Sequence, residues 1–496
     1  MASKLKTAQS ILTEAKRDRD HHREWMDQLY RFCLPWRTRF GNSRTENDQG
    51  DLFDNTAMEA LGDFASDMNG MVTPPWLDWI QIEPSKKLSQ ADRKIIEAPI
   101  RDYKEKVFAE IRRSNFYEAG LEGYHDLAIG TVALQVQREQ IGRPYICQST
   151  PLTNLYVLRG MHGRVDAVVR QFKVWKKDVR KYYPDATLPQ SITASNKPME
   201  EIEVTECAWR NWNPEFAEAW EFIAYFKQTV LADESYQGVG SCPFAVGRWR
   251  TDASTAWGIG PLYTALPTVR VLDELGYLVL KQANKVVDPP FFYDDDGVMN
   301  FDQGVVPGTA IPRLPGSKHD VLESGTNFEI GFFTQEDLRH QIKRALFQDK
   351  PEQRGDTPPT ATQFLEEMAM TARRLPLGRL VDYQLQVFSR FAWLMEQDGQ
   401  LPKVELKGEV VDLVPYSPLL RNQQQDKVLI FNRFMEIANA QFGQEAVQLL
   451  VDPVKSLENL KKMLNEEGVV IRDQAELKGL MEKAAQGAQA MGMLPQ

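Results

Sequence analysis

The sequence predicts an α+β protein that is mainly helical, and three observations support that fold class. Apolar residues recur at helical spacing over about the first 110 residues and again after residue 261. Between about 130 and 252 the period falls towards two, which is typical of strands. The chain has 496 residues with 42% apolar and 26% charged residues, so we expect two or more packed regions rather than one core.

The N-terminal part of the chain predicts three helices. They are Lys4–Phe32, Thr56–Gly70 and Ser89–Arg113. Pro35 ends the first, because proline cannot continue a helix. In the second, Thr56 and Glu59 have the spacing of a capping box, and the third begins with a Ser-x-x-Asp cap.

A β-rich region follows these helices. Its segments TVALQVQRE, RPYICQST, DAVVRQFKV, EIEVTECAWRNW, WEFIAYFKQTVL and FAVGRWR alternate or cluster β-branched and aromatic residues. We expect one short helix within the region, at Trp175–Tyr183. The sequence therefore predicts a β-rich body inserted in a helical protein.

A long helix is predicted from about 261 to 287, where Asp288-Pro289-Pro290 ends it. Its apolar stripe comprises Leu262, Leu266, Val269, Leu272, Leu275, Val279, Ala283 and Val286. The following FFYDDDGVMNF places two strand-like arms around an Asp-Gly turn and predicts a hairpin. Gly258-Ile259-Gly260-Pro261 is interpreted as a turn leading into the long helix, because the third glycine of a nucleotide-binding loop is missing.

A shorter helix is predicted after Thr334 and is closed by Pro351. Its apolar face carries Leu338, Ile342, Ala345 and Leu346, and its opposite face carries Arg339, His340, Lys343 and Arg344. We expect a further helix from a Thr360-x-x-Gln363 cap towards Gln397, kinked at Pro376. Residues 418–496 are charged and helical in pattern.

Composition narrows the function. The net charge of −10 argues against a surface that binds nucleic acid broadly, so any DNA contact should be local or weak. Cys33, Cys147, Cys207 and Cys242 lack the spacing of a zinc site or a disulfide framework, which favours folding in a reducing cytoplasm. Neither a signal peptide nor a membrane span is expected.

No motif points to catalysis. GxxxxGK[ST], HExxH and GxSxG are absent from the sequence, and no cofactor or metal is expected. A calcium loop aligned on Gly297 would place Phe292 and Gln303 where carboxylates are required, so Asp294–Asp296 are interpreted as a solvated hairpin tip. His125-Asp126 with Ser66 or Ser149, and the pair Asp63 and Asp67, are interpreted as structural residues rather than as an active site or metal site.

Arg354-Gly355-Asp356 leaves two interpretations open. In the first, the tripeptide serves adhesion or tail attachment. In the second, Lys343, Arg344, Lys350 and Arg354 form a basic ring when copies of the chain surround an axis, although on a monomer they would be an ordinary solvated face. Arg354→Ala separates the two, because it should abolish cell attachment in the first case and leave ring assembly intact in the second. A DNA-processing enzyme is a weaker alternative.

The order of elements resembles that of bacteriophage portal proteins. More closely, DLFDNTAMEALGDFASDMNGMVTPPWLDWIQIEP, YHDLAIGTVALQVQRE, GIGPLYTALPTVRVLDELGYLVLKQANKVVDPPFFYDDDG and TATQFLEEMAMTARRLPLGRL are similar to the head-to-tail connecting protein family of short-tailed phages. The likeness covers roughly residues 1–420. It implies a ring, usually of twelve subunits, at one capsid vertex of the virion, through which double-stranded DNA is packaged and ejected.

The resemblance also implies a set of regions for this chain. They are a wing at 1–260, a first stem helix at 261–287, a clip at 288–331, a second stem helix at 332–350, a tunnel loop at 351–359 holding Arg354, Gly355 and Asp356, a wing helix and return at 360–417, and a crown at 418–496. Docking to the clip would involve Phe291, Phe292, Asp294, Asp295 and Asp296. The implied partners are a terminase, a tail adaptor protein, scaffold, internal core and major capsid proteins, with assembly in the host bacterial cytoplasm and no membrane.

Overall fold

The computed structural model describes most of the chain up to residue 415 and a few short stretches beyond it. The described residues are 2–40, 51–85, 87–139, 144–193, 197–213, 215–216, 218–288, 291–294, 310–313, 328–348, 374–402, 411–415, 431–441, 443, 451–452, 456–457 and 460. The chain divides into two compact units, of which the first comprises 1–360 and 370–417, and the second comprises 361–369 and 418–496. In the second unit, 431–441 is helical.

Two helices replace the single N-terminal helix that the sequence predicts. Helix α1 spans Ala2–Asp20 and α2 spans Arg23–Cys33. Leu5, Ala8 and Ala15 of α1 are buried in a cluster with residues of the β-rich region. The break allows α1 to pack on a sheet while α2 packs on other helices.

Of the caps predicted for the next two helices, one is present in the structure and the other is not. Helix α3 spans Thr56–Met71 with Asn55 at its N-cap, so the predicted capping box of Thr56 and Glu59 does not form, and the N–H of Thr56 donates to the Asp54 carboxylate at 2.8 Å. Helix α4 spans Gln90–Arg113, and its predicted Ser89 cap is confirmed: the Ser89 hydroxyl accepts from the N–H of Asp92 at 3.2 Å. A further helix, α5, spans Phe116–Ile129.

The predicted β-rich region forms two antiparallel sheets and confirms that part of the fold class. Its strands are β2 (Thr131–Arg138), β3 (Tyr145–Ser149), β4 (Leu155–Arg159), β5 (Val165–Trp175), β6 (Glu201–Arg210), β7 (Ala219–Phe226), β8 (Thr229–Gln237) and β9 (Phe244–Arg248). One sheet has the order β3-β2-β9 and the other β4-β5-β6-β7-β8. The predicted short helix is α6 (Val179–Tyr182), and α7 (Gln190–Thr193) is a second.

Three long helices follow the β-rich region in the sequence. Helix α8 spans Pro261–Val287, α9 spans Phe328–Ala345 and α10 spans Leu377–Gln397. Strands β10 (Arg250–Thr251) and β11 (Gly258–Ile259) pair with each other, as do β1 (Ile80–Pro84) and β14 (Val411–Pro415). The helix predicted over 261–287 is confirmed at both ends.

The strands β12 (Phe291–Asp294) and β13 (Ala310–Arg313) pair in parallel. Parallel pairing needs a long connection, so the local Asp-Gly pattern did not predict this partner. The second arm of the predicted hairpin, at 298–301, lies outside the described residues.

Helix α10 is the central helix of the first unit. Val387, Phe388, Phe391 and Leu394 are buried, and the helix packs on β9, β2 and α4. Its N-cap is Pro376, so the described helix begins where the sequence predicts a kink, and the predicted segment from Thr360 to 373 lies outside the described residues. The fixed φ of proline suits a helix start.

Candidate functional site: the paired helices α8 and α9

Helix α8 starts where the backbone of residues 258–260 crosses the backbone of residues 128–130. A Cβ built on Gly258 would lie 2.0 Å from the Gly130 carbonyl oxygen, and one on Gly260 would lie 2.1 Å from that of Ala128. Gly260 is the N-cap and Pro261 the first helical residue. The sequence predicts a turn here, but Gly258 and Ile259 form strand β11 and only Gly260 caps the helix; the glycines allow α8 to start directly against the end of α5.

The apolar stripe of α8 is buried in only one half of the helix. Leu262, Leu266, Val269 and Leu272 are buried, whereas Leu275, Val279 and Ala283 are half-buried and Val286 is exposed. The second half of α8, from Leu275 to Val287, is called its distal half. Other apolar residues of the distal half are exposed as well: Leu278 is 50%, Leu280 52% and Val287 85% exposed. The distal half of α8 therefore presents apolar surface that the body of the chain does not cover.

Four of the exposed apolar residues of α8 lie on two sides of the helix. Val271, which is 53% exposed, and Leu278 are seven residues apart and share one face. Leu280 and Val287 are also seven residues apart and share another. At 3.6 residues per turn the two faces are roughly 160–200° apart.

Phe53 and Asp54, which precede α3 in the sequence, contact both α8 and α9. The Asp273 carboxylate accepts from the N–H groups of Phe53 and Asp54, at 2.7 and 3.3 Å. Asp54 in turn forms an ion pair with Arg339 of α9 at 2.9 Å. The ring centroids of Phe53 and Tyr277 are 5.0 Å apart. Phe53 and Asp54 thus link α8 to α9. Of these contacts, the sequence predicted only that Arg339 lies on the polar face of α9.

Helix α9 ends in a backbone motif that leads towards the predicted tunnel loop. The N–H of Gln348 donates to the carbonyl of Lys343 at 2.8 Å, and that of Phe347 to Arg344 at 3.3 Å. This is a Schellman motif, and Phe347 occupies its left-handed position with φ of 63°. Phe347 is held there by Trp249, with ring centroids 5.7 Å apart, and by the Arg374 guanidinium 4.8 Å from its ring centroid.

The structure describes some of the predicted DNA-facing and docking residues. Lys343 and Arg344 are exposed on the face of α9 opposite the buried Ile342 and Leu346, as predicted. Phe291, Phe292 and Asp294 lie on β12. The other predicted site residues, Lys350, Arg354, Gly355, Asp356, Asp295 and Asp296, lie outside the described residues.

Asp126, Asp67 and Ser66, three of the residues that could suggest catalysis or metal binding, have structural partners, whereas the buried Ser149 hydroxyl has none among the described residues. Asp126 is buried and accepts from the Tyr30 hydroxyl at 2.7 Å and from Arg37 at 2.5 Å. Asp67 accepts from Gln348 at 2.8 Å, and the Ser66 hydroxyl donates to the Gly62 carbonyl. In the described part of the chain, no group of three His, Cys, Asp or Glu side chains is arranged to hold a metal ion. No described helix is long and apolar enough to cross a membrane.

His22 fixes the junction of α1 and α2 to the segment before α8. The Trp25 indole N–H donates to its Nδ1 at 3.4 Å, and its Nε2 lies 3.0 Å from the Thr255 hydroxyl oxygen. Burial lowers the pKa of His22 below its ordinary value of 6.5. Burial, and to a lesser degree the charge of Arg37, lower the pKa of His125 in the same direction.

Because these two histidines bind protons more weakly when folded, acid should destabilise the chain. Their contribution is fully present above the unfolded pKa and is lost as the pH falls through the folded pKa. We expect the free energy of unfolding to decrease between about pH 7 and pH 5, measured by urea denaturation at each pH. His22→Gln should make the slope shallower, whereas His340→Gln at an exposed position should not; equal slopes in all three proteins would contradict the assignment.

The fold and this site define a class of protein: an α+β chain whose paired helices carry uncovered apolar surface. The chain matches the family model described as bacteriophage head to tail connecting protein over residues 5–468. It therefore belongs to the bacteriophage head-to-tail connecting protein family, which confirms the resemblance found in the sequence. A comparison with curated proteins gave no match.

Solved structures from gene transfer agent (GTA) particles are similar to the chain at low identity. A chain of the virion of a native particle shares 11% identity over 86% of this chain and 95% of that chain, with a TM-score of 0.39. A neck of an empty particle computed with C6 symmetry shares 11% over 86% and 95%, with a TM-score of 0.37. A neck of a native particle computed with C12 symmetry shares 12% over 80% and 91%, with a TM-score of 0.36. Family membership rests on the family model and not on these likenesses.

Proposed function

We propose that the chain is the subunit of a portal ring at one capsid vertex of a bacteriophage. The family supports this class of function, and the uncovered apolar surface of α8 is the observation that carries the ring. Apolar surface rimmed by polar residues marks interaction sites in soluble proteins. A closed ring requires two different faces on each subunit, and the Val271/Leu278 and Leu280/Val287 faces lie on different sides of one helix.

In this proposal α8 and α9 are the two stem helices around a channel for double-stranded DNA. The exposed Lys343 and Arg344 lie in the last turn of α9, directly before the proposed tunnel loop at 351–359. A chain with a net charge of −10 attracts a polyanion only through such local cations. Since each phosphate contact adds affinity through counterion release, a few cations suit a conduit better than a strongly basic lining.

The remaining regions follow from the same arrangement. The clip, at 288–331, contains the parallel pair β12 and β13 and would contact a terminase during packaging and a tail adaptor protein afterwards. Residues 1–260 and 360–417 would form the wing, and 418–496 the crown. Scaffold, internal core and major capsid proteins would be met on the capsid side after assembly in the bacterial cytoplasm.

The proposal assigns no covalent catalysis to this chain. The nucleotide-dependent work of packaging would belong to the terminase, because the sequence lacks the phosphate-binding loop of such motors. The alternative function, adhesion through Arg354-Gly355-Asp356, concerns residues that lie outside the described part of the chain.

Single-particle electron microscopy of the purified chain tests the proposal. We expect end-on views with rotational symmetry and a central opening wide enough for duplex DNA. Monomers or two-fold dimers across the accessible concentration range would contradict the ring. Rings whose opening is too narrow for a duplex would retain the assembly and contradict the conduit.

A further inference from the structure

The body of the first unit contains a cavity of about 560 Å³ that the portal proposal does not use. It lies between β5 and β6 of the five-stranded sheet, β9 of the three-stranded sheet, the first turns of α10, and β14. Its volume is within the range of small-molecule sites, roughly 300–1,000 Å³. Val165, Val168 and Phe244 contribute apolar wall, and arginines contribute much of the polar wall.

Arg248 is the most buried arginine of the cavity lining. The residue is only 8% exposed, and two of its N–H groups donate to backbone carbonyls, of Ala256 at 3.2 Å and Gly163 at 2.9 Å. Neither acceptor carries a full charge. Among the described residues, no carboxylate forms an ion pair with Arg248. The backbone therefore fixes the orientation of this guanidinium without neutralising it.

Other cations gather around Arg248. Arg379 and Arg164 also line the cavity, and Arg379 is held by the Thr251 hydroxyl at 2.9 Å. Arg379 is the third residue of α10, whose first turn contains no acidic residue, so its charge adds to the positive end of the helix dipole. The pKa of Arg248 is lowered by burial and by the charges of Arg379 and Arg159.

The carboxylates of the lining offset only part of the charge of Arg164, Arg248 and Arg379. Glu218 accepts from the N–H of Gly240 and the Trp220 indole, and it shares Arg210 with Asp166. Asp382, one turn beyond Arg379, is exposed and favours the charged form of Arg248 from beyond ion-pair distance. Asp412 of β14 is half-buried.

We propose that this cavity binds the phosphate group of a small molecule through Arg248, Arg379 and Arg164. The planar fork of arginine matches phosphate oxygens with paired hydrogen bonds, and several guanidiniums favour a dianion over a monocarboxylate. The enclosed position of Arg248 favours a free phosphate or a nucleoside monophosphate over the phosphates of a duplex. The site is independent of α8 and α9, so rings without phosphate binding, or the reverse, tell the two proposals apart.

The test is binding of inorganic phosphate and of adenosine monophosphate to the full chain, measured by calorimetry at constant ionic strength in chloride. We expect saturable binding by the wild-type protein and about a tenfold or greater loss of affinity in Arg379→Gln, because a charged hydrogen bond is removed. Arg250→Gln removes an exposed arginine outside the lining and should bind as the wild type does. Arg248→Gln is a second variant and should lose binding completely if it folds.

Three results with phosphate and adenosine monophosphate would overturn the proposal. They are no saturable binding of either probe by the wild-type protein, unchanged affinity in Arg379→Gln, and an equal loss in Arg250→Gln, which would indicate general electrostatic attraction. Binding of duplex DNA that depends on Arg379, with neither small probe bound, would also overturn it and would make these arginines part of a nucleic-acid surface.

Discussion

Gly258→Ala should prevent the first unit from folding stably, because the added methyl group has no space. Its Cβ would lie 2.0 Å from the Gly130 carbonyl oxygen, which already accepts from the N–H of Trp249 at 2.8 Å. Backbone atoms cannot turn away as a side chain can. Relief requires the β10–β11 pair or the end of α5 to move, at a cost of several kcal/mol or more.

The destabilisation caused by Gly258→Ala should extend to α8 and α9, because Gly258 lies directly before the start of α8. Trp249, one residue beyond β9, packs against Phe64 of α3 and against Phe347 at the end of α9. We expect a large decrease in the urea midpoint, or no soluble protein, from Gly258→Ala.

Gly62→Ala is the matched control for this substitution. Gly62 lies within α3, and nothing is within 4 Å of its added Cβ. Alanine is the better helix former, so the control should be stabilised by about 0.5–1 kcal/mol. Equal denaturation midpoints for Gly258→Ala and the wild type would show that the crossing relaxes freely and would contradict the role given to these glycines.

The sequence predicted those helix starts that depend on residues within a few positions of them. The Ser89 cap and the start of α8 at Pro261 are examples, because a capping hydroxyl and a first-turn proline act within a few residues. Helix α5 was not predicted, and its Gly120 and Gly123 lower helix propensity. Gly123 is required by packing, since a Cβ there would lie 2.7 Å from a Val132 side-chain carbon.

The candidate site was predictable in outline and not in its contacts. The alternation of polar and apolar residues placed Lys343 and Arg344 on the exposed face of α9. The Asp54 to Arg339 ion pair joins residues 285 positions apart in the chain, and the left-handed Phe347 has no local signal because glycine usually occupies that position. Nor could the apolar stripe of α8 show that only its first half is buried, because periodicity identifies a face and not what covers it.

Leu278→Asp and Leu280→Asp should each abolish ring assembly without unfolding the chain. Both residues are half exposed in the isolated subunit, so a carboxylate there remains hydrated. In a ring the same carboxylate would be buried without a partner at every contact, at a cost of several kcal/mol each. Lys281→Gln changes the charge by the same amount at an exposed position of the same half of α8, roughly 60–120° around the helix from both faces, and should still form rings. Mass measurement by light scattering, followed by electron microscopy, distinguishes these outcomes.

Mixing the two variants tests the two-face geometry itself. In the proposed ring, the Val271/Leu278 face of one subunit would meet the Leu280/Val287 face of the next. An equimolar mixture of Leu278→Asp and Leu280→Asp retains one intact face on each variant, and these are the two faces that would pair in the proposed ring. The mixture should therefore give dimers containing one of each variant and should stop there, since both outer faces of the dimer are defective. Homodimers of either variant alone would instead indicate a two-fold contact, in which one face meets its own copy, and would rule out α8 as the ring-closing element.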